Sequence, residues 1–373
     1  MNSTQATLLA NTQADFERAS TMPGFCYTSP EWYEREVESI FTKEWICVGR
    51  EEQIPNAGDY FRFDIVGEPL VIVRDGKGVV RAHSAVCRHR GAILAQGKGK
   101  CRAFICPYHS WTYALSGELV SVPGSPDPMD HAAGFDPKNY GLVSHRTELW
   151  EGFIFVNFDR NARPLIEWLG DLPDLVKNYK LASMRLTHSH VKTIECNWKV
   201  YFENSMENYH VATVHTKHLA GKTTVSEFPK TTGPYFPLFV PAGITAFSDL
   251  PVIETLSERE ASGTFHLLVQ PNLQLILTST YLYYRQYLPQ GPNKLALVHN
   301  WCFPETTTKR PGFAEVAASY YDRYEAVLQE DMDVAPLVQQ GQRSRFCVPG
   351  RYADEEILIH RFANYVIGKV TAK

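Results

Sequence analysis

The stretches Cys87-Arg88-His89 and Cys106-Pro107-Tyr108-His109 decide the fold that this sequence predicts. Each stretch supplies one thiol and one imidazole, and sixteen residues separate the two stretches. Together they offer two sulfur and two nitrogen ligands, a set that suits a transition metal centre. Pro107 and Gly117 are turn residues around the second stretch, and Gly91 has a similar place after the first. The pattern therefore predicts two loops that close on one metal centre.

Two kinds of metal centre use such ligands. Zinc accepts thiolate and imidazole in tetrahedral sites, but zinc fingers usually group cysteine with cysteine and histidine with histidine. In a Rieske [2Fe-2S] centre, two histidines replace two cysteines on one of the irons. The mixed pair in each stretch favours the iron–sulfur centre, and a zinc-stabilised binding module is the alternative.

The segment resembles the Rieske family, and the resemblance implies a role for each ligand. Cys87 and Cys106 would hold the buried iron, and His89 and His109 would hold the outer, reducible iron. Cys101 lies between the stretches without a neighbouring histidine, so we expect an ordinary buried strand cysteine. A cluster of this kind transfers one electron and makes no product, so an enzyme needs a second site.

Length and composition limit the class of protein. A chain of 373 residues can form two domains with cores. A net charge of −4 without charge blocks gives no sign of a nucleic-acid partner. No apolar stretch reaches the roughly 20 residues that span a bilayer, and the N-terminus has no targeting pattern. The remaining cysteines lack pairing spacings, so we expect a cytoplasmic protein without disulfides or a membrane partner.

Hydrophobic periodicity divides the chain into three segments and predicts an α+β protein. Residues 1–44 are expected to form an N-terminal helical arm that packs on the last segment. Residues 45–158 show short strands between turn residues and predict a small all-β domain. Residues 159–373 predict an antiparallel sheet covered by a long helix. Within that segment we expect helices over 164–180, 199–220 and 312–342, a strand over 186–196 and three strands over 264–303.

The segment from Asn197 to His215 contains a second set of ligands. His210 and His215 need one carboxylate to complete the facial triad of a non-haem ferrous iron, which leaves positions open for dioxygen and substrate. On a straight helix, five residues turn the chain by ~500°, so the two imidazoles would point roughly 140° apart. We therefore predict an interruption of the helix near 212–214.

This segment resembles the mononuclear-iron motif of Rieske non-haem iron oxygenase catalytic (alpha) subunits. The resemblance assigns His210 and His215 to the iron and takes the carboxylate from the long C-terminal helix. Asp331 is the matching position there, and Asp333 is the second choice. Each chain would hold one Rieske [2Fe-2S] cluster and one mononuclear Fe(II), the latter in a helix-grip catalytic domain over residues 159–373.

Glu207 lies one helical turn before His210. In the family this position holds a carboxylate that accepts a hydrogen bond from an iron histidine and links it to a cluster histidine of the neighbouring subunit. Many aromatic-ring dihydroxylases have Asp here, whereas Glu resembles the branch that acts on choline-, betaine- and carnitine-like compounds and on N- or O-alkyl groups. Asn204 is the other candidate near the reacting centre, although it could equally be a helix residue with local hydrogen bonds.

Aromatic residues offer a weak indication of the substrate. One strand would present three tyrosines on one face: Tyr281, Tyr283 and Tyr287. They suit a cation–π cage for a quaternary ammonium group, but sheet core packed against the C-terminal helix is the favoured interpretation. A group of phenylalanines is expected near the pocket entrance: Phe236, Phe239 and Phe247.

The resemblance implies the terminal oxygenase of a multi-component Rieske system. The expected reaction is O2-dependent monooxygenation of a small organic substrate, with hydroxylation leading to N- or O-dealkylation. Ring dihydroxylation to a cis-diol and a pure electron carrier are the alternatives. The sequence has no convincing Gly-rich dinucleotide turn and no plant-type ferredoxin spacing, so a separate NAD(P)H-dependent reductase, with or without a ferredoxin, must supply electrons. The family resemblance also implies a homotrimer.

Overall fold

The computed structural model describes residues 2–124, 128–218, 226–241 and 249–372. The chain divides into two compact units, Trp45–Ala162 and a second unit formed by Met1–Glu44 with Arg163–Lys373. The first unit is built on β-strands, and the second combines an antiparallel sheet with helices. The predicted α+β class is confirmed.

Short strands build the unit Trp45–Ala162. A seven-stranded antiparallel sheet has the order β1-β10-β9-β4-β3-β2-β5, and a three-stranded sheet has the order β6-β7-β8. The strands are β1 (Ile46–Arg50), β2 (Asp59–Ile65), β3 (Glu68–Arg74), β4 (Val80–Ser84), β5 (Lys98–Lys100), β6 (Ala103–Ile105), β7 (Thr112–Ala114), β8 (Leu119–Ser121), β9 (Ser144–Trp150) and β10 (Phe153–Asn157). Short 3-10 turns follow at Glu51–Gln53 and Pro137–Asn139.

Two hairpins of this unit turn through residue pairs that end in glycine. Val66-Gly67 joins β2 to β3, and Glu151-Gly152 joins β9 to β10. All four residues have positive φ, as a two-residue type I′ turn requires. Cys101 lies between β5 and β6 and is half-buried, so the expectation of a buried strand cysteine is wrong. It lies at a strand connection, where the backbone leaves one sheet for the other.

The second unit contains a six-stranded antiparallel sheet with the order β11-β16-β15-β14-β13-β12. Its strands are β11 (Met184–Ile194), β12 (Tyr235–Pro241), β13 (Gly263–Val269), β14 (Leu273–Leu277), β15 (Leu282–Pro289) and β16 (Leu295–Pro304). The prediction of three strands over 264–303 is therefore wrong, because β13 to β16 occupy this region. Turns at 270–272 and 278–281 divide what the apolar pattern presents as longer runs.

Helices surround this sheet. They are α1 (Ser3–Thr12), α2 (Phe25–Thr28), α3 (Pro30–Glu36), α4 (Leu165–Leu169), α5 (Leu172–Val176), α6 (Trp198–Asn204), α7 (Val211–Val214), α8 (Glu258–Ser262), α9 (Glu305–Thr308), α10 (Phe313–Gln342) and α11 (Ile357–Thr371). A π-helical turn at Val37–Phe41 follows α3, and 3-10 turns occupy Lys177–Tyr179, Leu181–Ser183 and Asp354–Glu356. No helix in these described ranges has both the length and the apolar character of a membrane span.

A buried ion pair fixes the start of α6. Lys199 Nζ lies 2.5 Å from a carboxylate oxygen of Glu36 on α3, and both side chains are fully buried. The indole N–H groups of Trp32 and Trp198 donate to the same carboxylate at 2.8 Å. Because a buried charge needs partners, these contacts fix the position of α6 against α3.

Candidate metal centres

The two cysteine–histidine loops have the same backbone closure. The amide of Cys87 donates to Ala92 O, and the amide of Gly91 donates to Cys87 O. In the second loop, Cys106 N donates to Trp111 O and Ser110 N donates to Cys106 O. Gly91 and Ser110 occupy equivalent positions and have φ of 75° and 57°. Each loop thus reverses over the same number of residues, which aims its thiol and imidazole to one side.

Among the four candidate ligands, the sulfur ligands and the nitrogen ligands differ in exposure. The thiols of Cys87 and Cys106 are buried at 2% exposure, whereas His89 and His109 are exposed. The two imidazole rings lie 4.7 Å apart between centroids, and His89 stacks on Trp111 at 4.8 Å. This arrangement fits a cluster with a thiolate-bound inner iron and an imidazole-bound outer iron.

A hydrogen bond supports the charge that a cluster thiolate carries. The hydroxyl of Tyr113 accepts from Arg88 N at 3.0 Å and lies 3.2 Å from Cys87 Sγ, to which it donates. Burial raises the pKa of Cys87, but the Tyr113 hydroxyl and nearby backbone N–H groups outweigh burial and lower this pKa below its ordinary value. The loop therefore stabilises thiolate, the form that binds iron.

The second site joins residues from distant parts of the chain. His210 Nε2 lies 3.5 Å from Asp331 Oδ1, and His215 Nε2 lies 3.1 Å from the same oxygen. The three ligand atoms lie within 4.8 Å of one another. Two imidazoles and one carboxylate on one side of a cavity form the donor set of a facial triad.

A second carboxylate contacts the far nitrogen of each imidazole. Glu207 Oε1 lies 2.5 Å from His210 Nδ1, and Glu330 Oε2 lies 3.0 Å from His215 Nδ1. Burial lowers the pKa of His215, but Asp331 and Glu330 outweigh it and raise this pKa overall. The three carboxylates around the two imidazoles give the site a negative charge that suits a divalent cation. Because each Nδ1 is hydrogen-bonded to a carboxylate, the Nε2 lone pair of each histidine is left for a metal.

The predicted place of the helix interruption is wrong. Residues 211–214 form α7, with His210 just before this helix and His215 just after it, and the break lies between α6 and α7. Glu207 Oε2 accepts from His210 N at 3.0 Å, so this side chain competes for backbone hydrogen bonds that a continuous helix would use. The expectation of one helix over 199–220 fails for the same reason.

The two carboxylates considered on α10, Asp331 and Asp333, have different surroundings. Asp331 is buried and faces the two imidazoles, whereas Asp333 accepts from Gln329 at 2.8 Å at an exposed position. Asn204 Nδ2 donates to Asp331 Oδ1 at 3.3 Å, which places this amide at the triad. His218 Nδ1 donates to Glu330 Oε1 at 3.0 Å, and it is partly exposed.

The triad lines a cavity of about 220 Å³. Its apolar wall is formed by Leu238, Val240, Val327 and Leu328. Polar residues include Asn204, Glu207, Asn208, His266, Arg285 and Tyr324. A small, mostly apolar pocket with a few polar groups is typical of a site for one small molecule.

Most of the aromatic residues proposed for this pocket belong to the core. Tyr281 packs against Tyr320, and Tyr283 packs against Tyr324, both on α10. The sheet-core interpretation of these tyrosines is confirmed. Among the phenylalanines, Phe236 contacts Phe362 and Tyr365, Phe239 contacts Phe265, and Phe247 lies outside the described residues.

Sequence reasoning missed two residues of this site. The sequence analysis assigns no role to Glu330, because its contact with His215 depends on the rotation of α10. Arg285 lies among strand tyrosines, and its sequence gives no sign that it faces a cavity. An arginine on a strand whose alternate residues are all aromatic is the only signal that could have identified it.

Comparisons with known proteins agree with these geometries. Residues 44–135 match the Rieske [2Fe-2S] domain, and residues 181–372 match the ring hydroxylating alpha subunit (catalytic domain). The chain therefore belongs to the ring-hydroxylating alpha subunit family of Rieske non-haem iron oxygenases. Its cofactors are a Rieske [2Fe-2S] cluster and a mononuclear iron, as predicted, and the zinc alternative is rejected.

Similar proteins within the family include monooxygenases. The chloroplastic choline monooxygenase of Beta vulgaris is 29% identical over 342 residues, covering 90% of this chain and 74% of that protein. The carnitine monooxygenase oxygenase subunit of Acinetobacter baumannii is 37% identical over 205 residues, 53% of each protein. A crystal structure of the quaternary ammonium Rieske monooxygenase CntA with L-carnitine is 25% identical, with a TM-score of 0.80 over 97% of this chain and 98% of that one.

Proposed function

We propose that this chain is the terminal oxygenase of a multi-component system and hydroxylates a small substrate at a carbon attached to nitrogen or oxygen. Dioxygen, two electrons and two protons convert one C–H bond to C–OH and release water. The resulting product sheds an aldehyde and leaves the dealkylated compound. The meeting of His210, His215 and Asp331 at the wall of a small cavity is the observation that carries this proposal.

The proposed ligands divide between the two units. Cys87, His89, Cys106 and His109 would hold the [2Fe-2S] cluster in a Rieske domain over 45–158. His210, His215 and Asp331 would hold Fe(II) in a catalytic domain over 159–373, with 1–44 as an arm on that domain. When bound, the cluster supplies single electrons and the ferrous iron activates dioxygen.

Glu207 and Asn204 have distinct proposed roles beside this metal. Glu207 accepts a hydrogen bond from Nδ1–H of His210, so it fixes the tautomer and ring orientation of that ligand. The side chain of Asn204 donates to Asp331 Oδ1, so it orients the carboxylate. Both residues also line the cavity, where they contact a bound substrate and exclude bulk water.

The proposed partners are a separate NAD(P)H-dependent reductase, with or without a ferredoxin, and two further copies of this chain. The exposure of His89 and His109 supports electron transfer at the protein surface. One similar structure is described in terms of inter-subunit electron transfer, which favours a homotrimer here. We also propose a reducing, cytoplasmic location, because none of the eight cysteines forms a disulfide.

The test combines metal analysis with turnover. Purified protein, reconstituted with iron and sulfide, is supplied with a surrogate reductase and a panel of N-alkyl, O-alkyl and aromatic compounds. We expect about three irons per chain, two in the cluster and one at the triad, and an aldehyde formed in proportion to oxygen consumed. A cis-diol product would favour ring dihydroxylation. About two irons without turnover would favour an electron carrier.

A further inference from the structure

Arg285 is a buried cation for which the described part of the chain supplies no hydrogen-bonded carboxylate at Nε or Nη1. It lies on β15, is 5% exposed and lines the same cavity as the triad. Its Nε and Nη1 atoms are both fully buried and donate to no oxygen in the described residues. Burying a charge without a hydrogen-bonded countercharge is strongly unfavourable, so we expect a further group to bind the guanidinium.

The two stretches outside the described residues that are nearest in sequence to the cavity also offer no carboxylate. These stretches are residues 219–225 and 242–248. Neither of them contains Asp or Glu. A water molecule could accept a hydrogen bond, but it carries no charge to balance the guanidinium. The missing partner is therefore best supplied by an anionic ligand.

The immediate surroundings of Arg285 are aromatic and neutral. Its guanidinium carbon lies 5.6 Å from the ring centroid of Tyr201 and 5.5 Å from that of Tyr283. Gln274, opposite Arg285 on β14, also has an unpaired Nε2 donor. Burial and the charge of Arg285 lower the pKa of His266 to about 3, so this cavity residue is neutral. These groups offer hydrogen-bond donors and no competing anion.

Arg285 and the triad are close enough for one small molecule to contact both. Tyr324 and Asp331 line the same cavity as Arg285, and burial raises the pKa of Tyr324 to about 12. The cavity has carboxylates around the metal ligands and a cation on its sheet wall.

We propose that Arg285 binds a carboxylate of the substrate, so that the natural substrate carries a carboxylate as well as the alkyl group that is oxidised. This inference rests on the proposed function and narrows its substrate class. A quaternary ammonium compound without an acid group, such as choline, would place a second positive charge beside an unpaired guanidinium. A zwitterion of the carnitine type would neutralise Arg285 instead. Arg285 is thus a specificity-determining residue.

The test uses pairs of compounds that differ only in the acid group. Carnitine and its methyl ester form one pair, and γ-butyrobetaine and its methyl ester form another. In the wild-type enzyme we expect kcat/KM to be about 10- to 100-fold higher for each acid than for its ester, because a charge-assisted hydrogen bond is lost. Arg285→Gln should remove this preference by lowering kcat/KM for the acids alone, mainly through KM.

Calorimetric binding of the same compounds provides a readout without turnover. The acids should bind the wild type and lose about 10- to 100-fold in affinity in Arg285→Gln, whereas Arg285→Lys should retain part of it. Arg259→Gln is the control, because Arg259 pairs with Glu227 at a half-exposed position outside the cavity. It should keep the wild-type acid preference.

Stability separates a binding role from a structural one. Because Nε and Nη1 of Arg285 have no hydrogen-bond acceptor in the described residues, the melting temperature of substrate-free Arg285→Gln should equal or exceed that of the wild type. A lower melting temperature, or equal losses for acids and esters, would overturn the inference. Absence of product from every compound, with acid-selective binding retained, would refute the proposed reaction and leave the Arg285 site supported.

Discussion

The two candidate metal-binding regions differ in how far apart their ligands lie in the sequence. In the cluster region, four ligands lie between Cys87 and His109, and each loop is closed by its own backbone hydrogen bonds. In the iron region, His210 and Asp331 are separated by most of the six-stranded sheet and meet only because α10 passes beside α7. The first site is a local structure, whereas the second depends on packing of the whole unit.

The two regions also treat their ligands differently. The cluster loops stabilise a thiolate by hydrogen bonds to sulfur, for example from Tyr113 to Cys87. The iron region orients its imidazoles by carboxylates that accept hydrogen bonds from Nδ1, one from Glu207 and one from Glu330. Substitutions in one region should therefore leave the spectroscopic signature of the other unchanged, and this independence is what the following predictions test.

The largest effect is expected at the shared carboxylate of the triad. Asp331→Ala should lower turnover by at least about a thousandfold, because the substitution removes a metal ligand from the reacting centre. The visible spectrum of the Rieske cluster should be unchanged. Iron analysis and product formation check both statements together.

Asp333→Ala is the matched control on the same helix. Asp333 accepts from Gln329 on the helix surface, so its loss should change turnover by less than about twofold. If Asp333→Ala inactivates the enzyme and Asp331→Ala does not, the carboxylate assignment is wrong.

Glu207→Gln should have the next largest effect. The amide keeps the shape of the side chain but weakens the hydrogen bond to His210 Nδ1, and losing an outer partner of a metal ligand typically costs about 10- to 100-fold. We expect single-turnover electron transfer to slow by about that factor, with iron content falling much less. Equal losses of electron transfer and iron would identify Glu207 as a structural residue only.

Glu203→Gln is its matched control, one turn earlier on α6. Burial raises the pKa of Glu203 to about 8, and the Tyr27 hydroxyl contacts it at 2.8 Å. The carboxyl is thus mostly protonated at pH 7, and an amide replaces it with little change in turnover. Since the folded pKa exceeds the ordinary value, wild-type stability should fall as pH rises from about 4.5 to 8, by roughly 3–5 kcal/mol. Melting curves of Glu203→Gln should lack this fall.

Glu330→Gln should have a smaller effect than Glu207→Gln. The two carboxylate oxygens contact His215 Nδ1 and His218 Nδ1, both at 3.0 Å, so an amide can satisfy only one of them as an acceptor. We expect iron affinity to fall by about tenfold. Competitive chelation followed by iron analysis measures this change. An unchanged affinity would show that Glu330 does not support His215.

The sequence predicts the local structure of the cluster region better than that of the iron region. The loops that carry the candidate cluster ligands, and the strands beside them, were predictable, because turn residues and ligand spacing are local signals. The break after α6 was not, because Glu207 satisfies the amide of His210 only once both are placed at the site. The environment of Arg285 could not be predicted either. The alternation of residues along a strand shows which side of the sheet Arg285 lies on, but it does not show that a cavity lies on that side. Tertiary contacts decide such positions.

The smallest effect is expected in the cluster region, from Tyr113→Phe. The substitution removes the hydrogen bond to Cys87 Sγ while the ring remains in the core. Hydrogen bonds to cluster sulfurs favour the reduced, more negative state, so the reduction potential should fall. A hydrogen bond of about 1 kcal/mol corresponds to roughly 40 mV for one electron. Redox titration measures the shift, and the control is Thr112→Val, one residue away, where the lost hydroxyl donates to Ser110 O. An unchanged potential, with iron at the triad unaffected, would remove Tyr113 from the cluster environment and leave the two regions independent.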